Sequence, residues 1–351
     1  DYTGGEGHWL FEPQSTNLSL YSEDFSNSYW AKSDVTVEGG FTSPSGDESA
    51  YKLKEGSATI NHQMYGAISG TAGNIYTLSG IFKKGERDII QLVYGGAAFD
   101  EGNTYCNFDL SNGVLGSGLY LSASITLISN GWYRCEFTAT KTTTGNFNIT
   151  YAPKLTSTAS RNASYTGDGT SGVYVWGAQL EQSSFATSYI PTNGSTVTRL
   201  QDAAFGAGSS DLINSTEGVL YAEIAALNDS VNFFLGVYGS SNSRVRLTFG
   251  PNSIKGQVFN GSYQCRISSV QTITNNNKIA LKYKQDDFAL WINGVEVGTD
   301  TSGLTFSADT LTYLNLSAYD GNANRVQGKV KCLAVFKEAL TDAELTCLTT
   351  I

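Results

Sequence analysis

The chain has 351 residues, too many for one ordinary β-sandwich and comfortable for two, and each half is long enough to bury its own core. Gly, Ser, Thr, Asn, Tyr and Phe dominate, with one Met and five Pro, which favours β structure and excludes a disordered chain. The 32 acidic residues outnumber the 22 basic ones, and the resulting charge of −10 without a basic cluster excludes a nucleic-acid partner.

Residues 1–16 are Gly-rich and carry Trp9 and Phe11; they read as an ordered lead-in whose Trp9 packs onto a domain. From residue 17 to 191, short runs alternate between apolar and polar positions, and 58–64, 75–83, 89–94, 105–109, 122–128, 133–140, 147–151 and 173–180 are predicted strands. Asn112-Gly113, Asn130-Gly131 and the stretch 167–172 supply turns. Residues 192–212, poor in aromatics, read as a linker. The strand pattern then resumes over 213–351, with runs at 218–225, 232–238, 244–249, 257–259, 264–268, 278–284, 288–292, 311–316 and 329–336. Asn293-Gly294 predicts a tight hairpin, and Thr341 three residues before Glu344 is a capping-box start to one short helix. The expected fold class is therefore all-β, two tandem β-sandwich or jelly-roll domains with a short C-terminal helix.

Two stretches resemble known families. The C-terminal half resembles laminin-G-like, concanavalin-A-like sandwiches, through 278–284 followed by Phe288-Ala289-Leu290-Trp291-Ile292-Asn293-Gly294-Val295, and through 328–336 followed by Ala339-Leu340-Thr341-Asp342-Ala343-Glu344-Leu345. The N-terminal half resembles carbohydrate-binding jelly rolls of the family-4 kind. It opens with Asn17-Leu18-Ser19-Leu20-Tyr21-Ser22-Glu23-Asp24-Phe25 and closes with Val173-Tyr174-Val175-Trp176-Gly177-Ala178-Gln179-Leu180-Glu181, where such modules pair their first and last strands. Phe11-Glu12-Pro13-Gln14-Ser15-Thr16-Asn17, Gly131-Trp132-Tyr133-Arg134 and Ser188-Tyr189-Ile190-Pro191-Thr192 are similar to segments of phage tail-fibre and other virion-surface proteins. These resemblances imply fold more than activity, because both sandwich families host binders, lyases and hydrolases.

Catalysis finds no positive motif. Glycosidases of the concanavalin-like kind carry an E-x-D-x-x-E spacing, which Glu217 and Glu223 do not match, and no Gly-x-Ser-x-Gly elbow or phosphate loop occurs. His62 with Tyr65 reads as a lyase pair or, more plainly, as an exposed sheet histidine. The scattered Cys106, Cys135, Cys265, Cys332 and Cys347, with only His8 and His62 beside them, exclude a zinc site. Their odd number is unlike a secreted disulfide scaffold and fits a chain folded in a reducing compartment and released with a virus particle. No apolar run is long enough to span a membrane, and Asp1 opens no signal peptide.

Sugar binding is better supplied. Sugar rings stack their C–H faces on Trp and Tyr, while amides, carboxylates and Arg take the hydroxyls. Trp30 and Trp132 read as exposed platforms or as packed anchors, whereas Trp176 and Trp291 read as core. Tyr319-Asp320-Gly321-Asn322-Ala323-Asn324-Arg325 is a polar loop of the right chemistry, and Tyr238 to Arg244 is its counterpart; Tyr238, Tyr319, Asn322 and Arg325 are the ligand candidates there. The family-4 resemblance implies a structural Ca²⁺ where first and last strands meet, with Glu23, Asp24 and Glu181 as ligands and Asp168 as a further candidate. The sequence thus predicts a non-catalytic adhesin, extracellular or on a virion surface, that binds a polysaccharide or cell-surface glycan without membrane insertion. Such proteins are often homotrimers or attach to other virion proteins. A polysaccharide lyase or hydrolase, and a ligand-free structural spacer, are the competing readings.

Overall fold

Strands of alternating pattern account for nearly all of the regular structure. A computed structural model describes residues 7–96, 99 and 104–351, and among these the regular structure is strand throughout apart from one helix, Asp342–Thr349. It divides into two units, one of Gln14–Leu200 and one of Gln201–Ile351 joined by the chain up to Pro13.

The first unit contains two antiparallel six-stranded sheets. One runs in the order Val114–Leu119, Tyr105–Asp109, Ile89–Gly96, Gly145–Lys154, Gln63–Gly70 and Ala31–Ser33. The other runs Ser122–Ser129, Trp132–Thr140, Ile75–Lys84, Gly172–Glu181, Ala50–Glu55 and Val35–Phe41. Alternate residues of both, such as Leu92, Tyr94, Phe108 and Tyr151 from one and Leu78, Phe82, Phe137 and Val175 from the other, form a single buried core. Burying each such side chain stabilises the fold by roughly 1.5–3 kcal/mol before entropy is counted. The opening segment lies beside the closing strand, as the resemblance implied: Leu18 N–H donates to Leu180 O (2.8 Å) and Ala178 N–H to Ser22 O (2.9 Å). The buried Asn17 side chain fixes this register by donating to Ala178 O and Ile190 O and accepting from Leu180 N–H.

The second unit pairs a six-stranded sheet with a five-stranded one. The first is ordered Trp9–Phe11, Gly328–Phe336, Glu217–Ala226, Asn277–Lys284, Phe288–Ile292 and Val295–Asp300. The other is ordered Ser262–Val270, Ser253–Asn260, Ser243–Gly250, Phe233–Ser240 and Tyr313–Asn315. Leu220, Ile224, Leu281 and Leu290 face Phe233, Leu235, Leu247 and Val258 across the core. The predicted helix begins at the predicted capping box and seats Leu345 on Val219, Tyr221 and Trp291, on the side of the six-stranded sheet away from that core.

The lead-in and linker differ from expectation. Trp9–Phe11 is an edge strand paired with Val330 to Gly328, so its backbone belongs to the second unit, while the Trp9 ring stays 63% exposed. Ser15–Asn17 belongs to the first unit and pairs with Val197–Arg199, inside the predicted linker. Ala204 and Ile213 pack on the second core. Extended polar residues with free backbone groups pair with available edges even where no apolar alternation marks them. Residues 1–6 of the predicted lead-in lie outside the described residues.

Candidate functional site

Several predicted site residues are structural. Trp30 is 1% exposed: its ring packs among Phe25, Tyr29 and Tyr151, and its indole N–H donates to Tyr21 O (2.9 Å). Trp132 is 2% exposed, packed with Ile81, Ala50 and Trp176 on the outer face of its sheet. Neither ring offers a face to a sugar, which corrects the platform reading; the large apolar area of an indole is buried where neighbouring rings and aliphatic side chains can pack on it. Trp176 and Trp291 are buried as expected. Tyr238 is also inaccessible, its hydroxyl donating to Ser317 O (2.8 Å). His62 is fully buried rather than exposed, with Nδ1 2.9 Å from Asp34 O and Nε2 3.1 Å from Tyr165 O. Both ring nitrogens are thereby committed to tying loops together.

The calcium trio does not fit an ion. Glu181 is buried and accepts from the Ser15 hydroxyl, Gln179 Nε2 (2.7 Å), Thr187 N–H (2.9 Å) and Thr187 Oγ1 (2.5 Å), which leaves it no lone pair for a cation. Asp168 caps a turn, accepting from Thr170 and Ser171, and lies 3.6 Å from Arg87. Among the described residues no group of three His, Cys, Asp or Glu side chains converges as a metal site.

Glu23 and Asp24 instead line an open groove of about 640 Å³ in the first unit, together with Glu48, Ser49, Tyr51 and Asn193. Its geometry follows from local structure. The chain after the opening segment turns at Asp24, whose Oδ1 accepts from Ser26 N–H (3.1 Å), Ser26 Oγ (2.5 Å) and Asn27 N–H (3.2 Å). The Ser26 hydroxyl above all, with these backbone donors, holds the Asp24 carboxyl below the usual range, so it is an ionised acceptor. Tyr189 steadies its neighbour, its hydroxyl lying 2.8 Å from Glu23 Oε1 and 2.7 Å from Ser22 Oγ. Burial first, and the Glu23 carboxylate after it, raise the Tyr189 hydroxyl well above its ordinary value and keep it protonated.

The far wall is fastened by backbone. Tyr21 bridges to Asn193, Gly194 N–H donates to Leu20 O (2.7 Å), and Thr192 N–H donates to Ser22 Oγ (2.8 Å). Gly194 adopts φ +87° with the Tyr21 ring against it, a conformation that favours glycine. Opposite, Tyr51 stands edge-on to Phe25 with its hydroxyl 3.4 Å from Asp24 Oδ1. Ser49 accepts the indole N–H of Trp176 (2.8 Å). The groove therefore offers carboxylates, an amide and hydroxyls around one half-buried aromatic ring, a donor–acceptor set matched to polyhydroxyl compounds.

In the second unit the loop after Tyr313–Asn315 carries Tyr319, 45% exposed, with Asn322 also exposed and Arg325 half-buried, its Nε donating to Gly321 O (2.9 Å). Tyr313 donates to Tyr319 O and stacks on Tyr238, so Tyr319 and Tyr238 share one sheet edge although only the first is accessible. Phe205, 61% exposed, covers Gly321 and was not legible as a neighbour of this loop, because 110 or more residues separate them in sequence. Tyr51, Glu48 and Asn193 were missed for the same reason: no local motif marks residues that a sheet edge and a returning segment bring together.

No protein-family model matches this chain, and no curated protein matches it. Solved structures similar to parts of it include the Ruminococcus gnavus IT-sialidase CBM40 bound to α2,6-sialyllactose, 17% identical over 42% of this chain and 94% of that one, with a TM-score of 0.34. A native heptameric SAP-like pentraxin from Limulus polyphemus is 17% identical over 40% of this chain and 72% of its own, with a TM-score of 0.33. Domains LG4-5 of the mouse laminin α1 chain are 12% identical over 83% and 91%, with a TM-score of 0.30. Likenesses this distant assign neither family nor ligand, and the functional reading rests on the chain's own residues.

Proposed function

We propose that this chain is a non-catalytic carbohydrate-binding protein, an adhesin displayed outside a cell or on a virion, and that the groove of the first unit holds a sugar with little net charge. The observation that carries the reading is the lining itself: Glu23, Asp24 and Glu48 beside Asn193 and Tyr51 in one open groove. Carboxylates accept paired sugar hydroxyls and disfavour anionic sugars, while the Tyr51 ring supplies an apolar face. Asp24, held ionised, suits an acceptor better than a general acid. Single sites of this openness bind weakly, and display in several copies, such as a trimer on a virion, would multiply the attachment.

The competing reading is hydrolysis, favoured by the same fact that Glu23 and Glu48 share a groove. The purified chain incubated with neutral polysaccharides, read for both retention and released oligosaccharide, separates the two. Retention without release, weakened about tenfold by Tyr51→Ala and by Glu23→Gln, is expected for a binder losing roughly 1.4 kcal/mol of contact. Release that disappears in Glu23→Gln would make the chain an enzyme, and absence of both signals would leave it a structural spacer.

A further inference from the structure

The strongest unassigned feature is a patch of positive charge in this acidic chain. Residues 230–285 contain no Asp or Glu, yet include Arg244, Arg246, Lys255 and Arg266. All four fall on the five-stranded sheet of the second unit. Their alternate neighbours Val245, Leu247, Ile254, Cys265 and Ile267 are buried in the core, so the four cations stand on the opposite, outer face.

Strand register arranges this face in rows. Asn315, Gly236, Arg246, Gln257 and Arg266 are successive cross-strand partners, and Tyr313, Tyr238, Arg244, Phe259 and Tyr263 form the row beside them. Tyr238 and Asn315 at the far end of the rows are buried, and two inter-strand steps of about 4.8 Å carry Arg246 across Gln257 to Arg266, so the cations span about 10 Å.

The guanidinium groups are preorganised. Arg244 lies 4.0 Å over the Phe259 ring, Arg246 4.2 Å over Phe234, and Arg266 5.1 Å over Tyr263. Arg246 Nε donates to Gln257 Oε1 (2.8 Å), which fixes the plane of its fork. Arg244 Nε is buried without a hydrogen-bond partner. Among the described residues no carboxylate forms an ion pair with any of the four cations, although Lys282 and Lys284 on the other sheet both have one. Burial, and after it the charge of Arg244, hold the Arg246 guanidinium below the usual arginine range, so two like charges face each other without a counter-ion. Rigid, stacked, unneutralised guanidinium forks are built to meet planar or tetrahedral oxyanions in pairs of hydrogen bonds.

We propose that the outer face of this sheet binds a polyanionic glycan, a polysaccharide carrying sulfate or carboxylate groups along its length, as a second site independent of the groove in the first unit. The anionic groups meet Arg244, Arg246 and Arg266, while Gln257, buried in the same row, holds the Arg246 fork in place. A single-stranded nucleic acid, the other common polyanion, needs free aromatic faces for its bases, and here the Phe234 and Phe259 faces are occupied by arginine.

The test is retention of the full chain on heparin-agarose and on immobilised alginate, with salt elution, against neutral dextran and single-stranded DNA cellulose. The two anionic columns separate sulfate from carboxylate as the recognised group. Wild type is expected on at least one of them. The double variant Arg246→Gln with Arg266→Gln should bind about tenfold more weakly and with a shallower salt slope. Arg266→Gln alone, at an exposed position where folding is safe, should lose about threefold. Lys284→Gln, which removes a charge from the opposite sheet, should elute with wild type. The proposal is overturned if wild type passes through both anionic columns, if Arg266→Gln and the double variant elute at wild-type salt, if Lys284→Gln loses as much as they do, or if DNA is held as tightly as the glycan. Because neutral glycan retention reports the groove and anionic retention reports this face, either can fail without the other.

Discussion

Trp30 separates a residue's chemistry from its use. The sequence places it after an opening segment among Ser and Asn, which suits an exposed platform, yet it is among the largest fully buried side chains of the first unit. Trp30→Ala should cost about 3–5 kcal/mol in denaturant unfolding, the scale for emptying an indole-sized core position. Below its new melting temperature, its retention on neutral polysaccharide should equal wild type; a selective loss of retention would return the ring to the ligand. Lys154 makes a different argument. Its buried ammonium donates to Asn61 Oδ1 (2.5 Å) and Ala163 O (2.9 Å), and burial draws its pKa down from 10.5 to about 8. Between those values the unfolded chain keeps a proton that the folded chain has lost, so stability rises with pH across the window. Below about pH 8 both states are charged and the cost of the buried ammonium is fully felt. The unfolding free energy of wild type relative to Lys154→Met should therefore increase by about 2–3 kcal/mol from pH 7.5 to 10.5. A flat difference would mean that the ammonium is solvated in the folded chain.

At the scale of elements, what could be read was what repeats locally. The predicted run 75–83 corresponds to Ile75–Lys84, 133–140 to Trp132–Thr140 and 329–336 to Gly328–Phe336, because each alternates apolar residues against a buried face. Asn293 and Gly294 both take positive φ, 53° and 81°, as the tight hairpin between Phe288–Ile292 and Val295–Asp300 requires. Strands Val35–Phe41 and Val114–Leu119 were not legible, since edge positions carry exposed Gly, Ser and Glu that leave no period. The candidate groove escaped for a stronger reason, as its walls come from residues 23–51 and 191–197, and only pairing brings them together. The helix lies at the legible extreme. Thr341 Oγ1 accepts from Glu344 N–H while Glu344 Oε2 accepts from Thr341 N–H (2.8 Å), so both partners of the sequence motif are present. Thr341→Ala should lower stability by about 1 kcal/mol, measured by denaturant unfolding. An unchanged midpoint would mean that packing of Leu345 alone holds the helix.

The whole molecule carries its charge unevenly. With 32 acidic and 22 basic residues the chain repels polyanions on average, yet the acid-free stretch 230–285 turns one sheet face the other way. Net charge was therefore a poor guide to local recognition, because pairing gathers cations that the sequence spreads over three strands. The cysteines obey the opposite logic, with position settled by burial. Cys106, Cys135 and Cys265 lie in the two cores, Cys332 and Cys347 are exposed, and all five are free thiols. Burial pushes the Cys106 and Cys265 thiols up from 9.0 to about 12 and raises Cys135 well above its ordinary value. Two thiols should thus react with an aromatic disulfide reagent in the native chain at pH 8, and all five after unfolding. The same burial has a linkage consequence. Neutral buried thiols contribute stability that is complete below about pH 9 and is lost as pH climbs towards 12, because the unfolded chain ionises first. A variant with Cys106→Ala and Cys265→Ala should start less stable, through the cavities it opens, but lose less stability than wild type from pH 9 to 11. If instead both decline in parallel, or if more than two thiols react natively, the cores admit water at these positions and the packing described for both units is too tight.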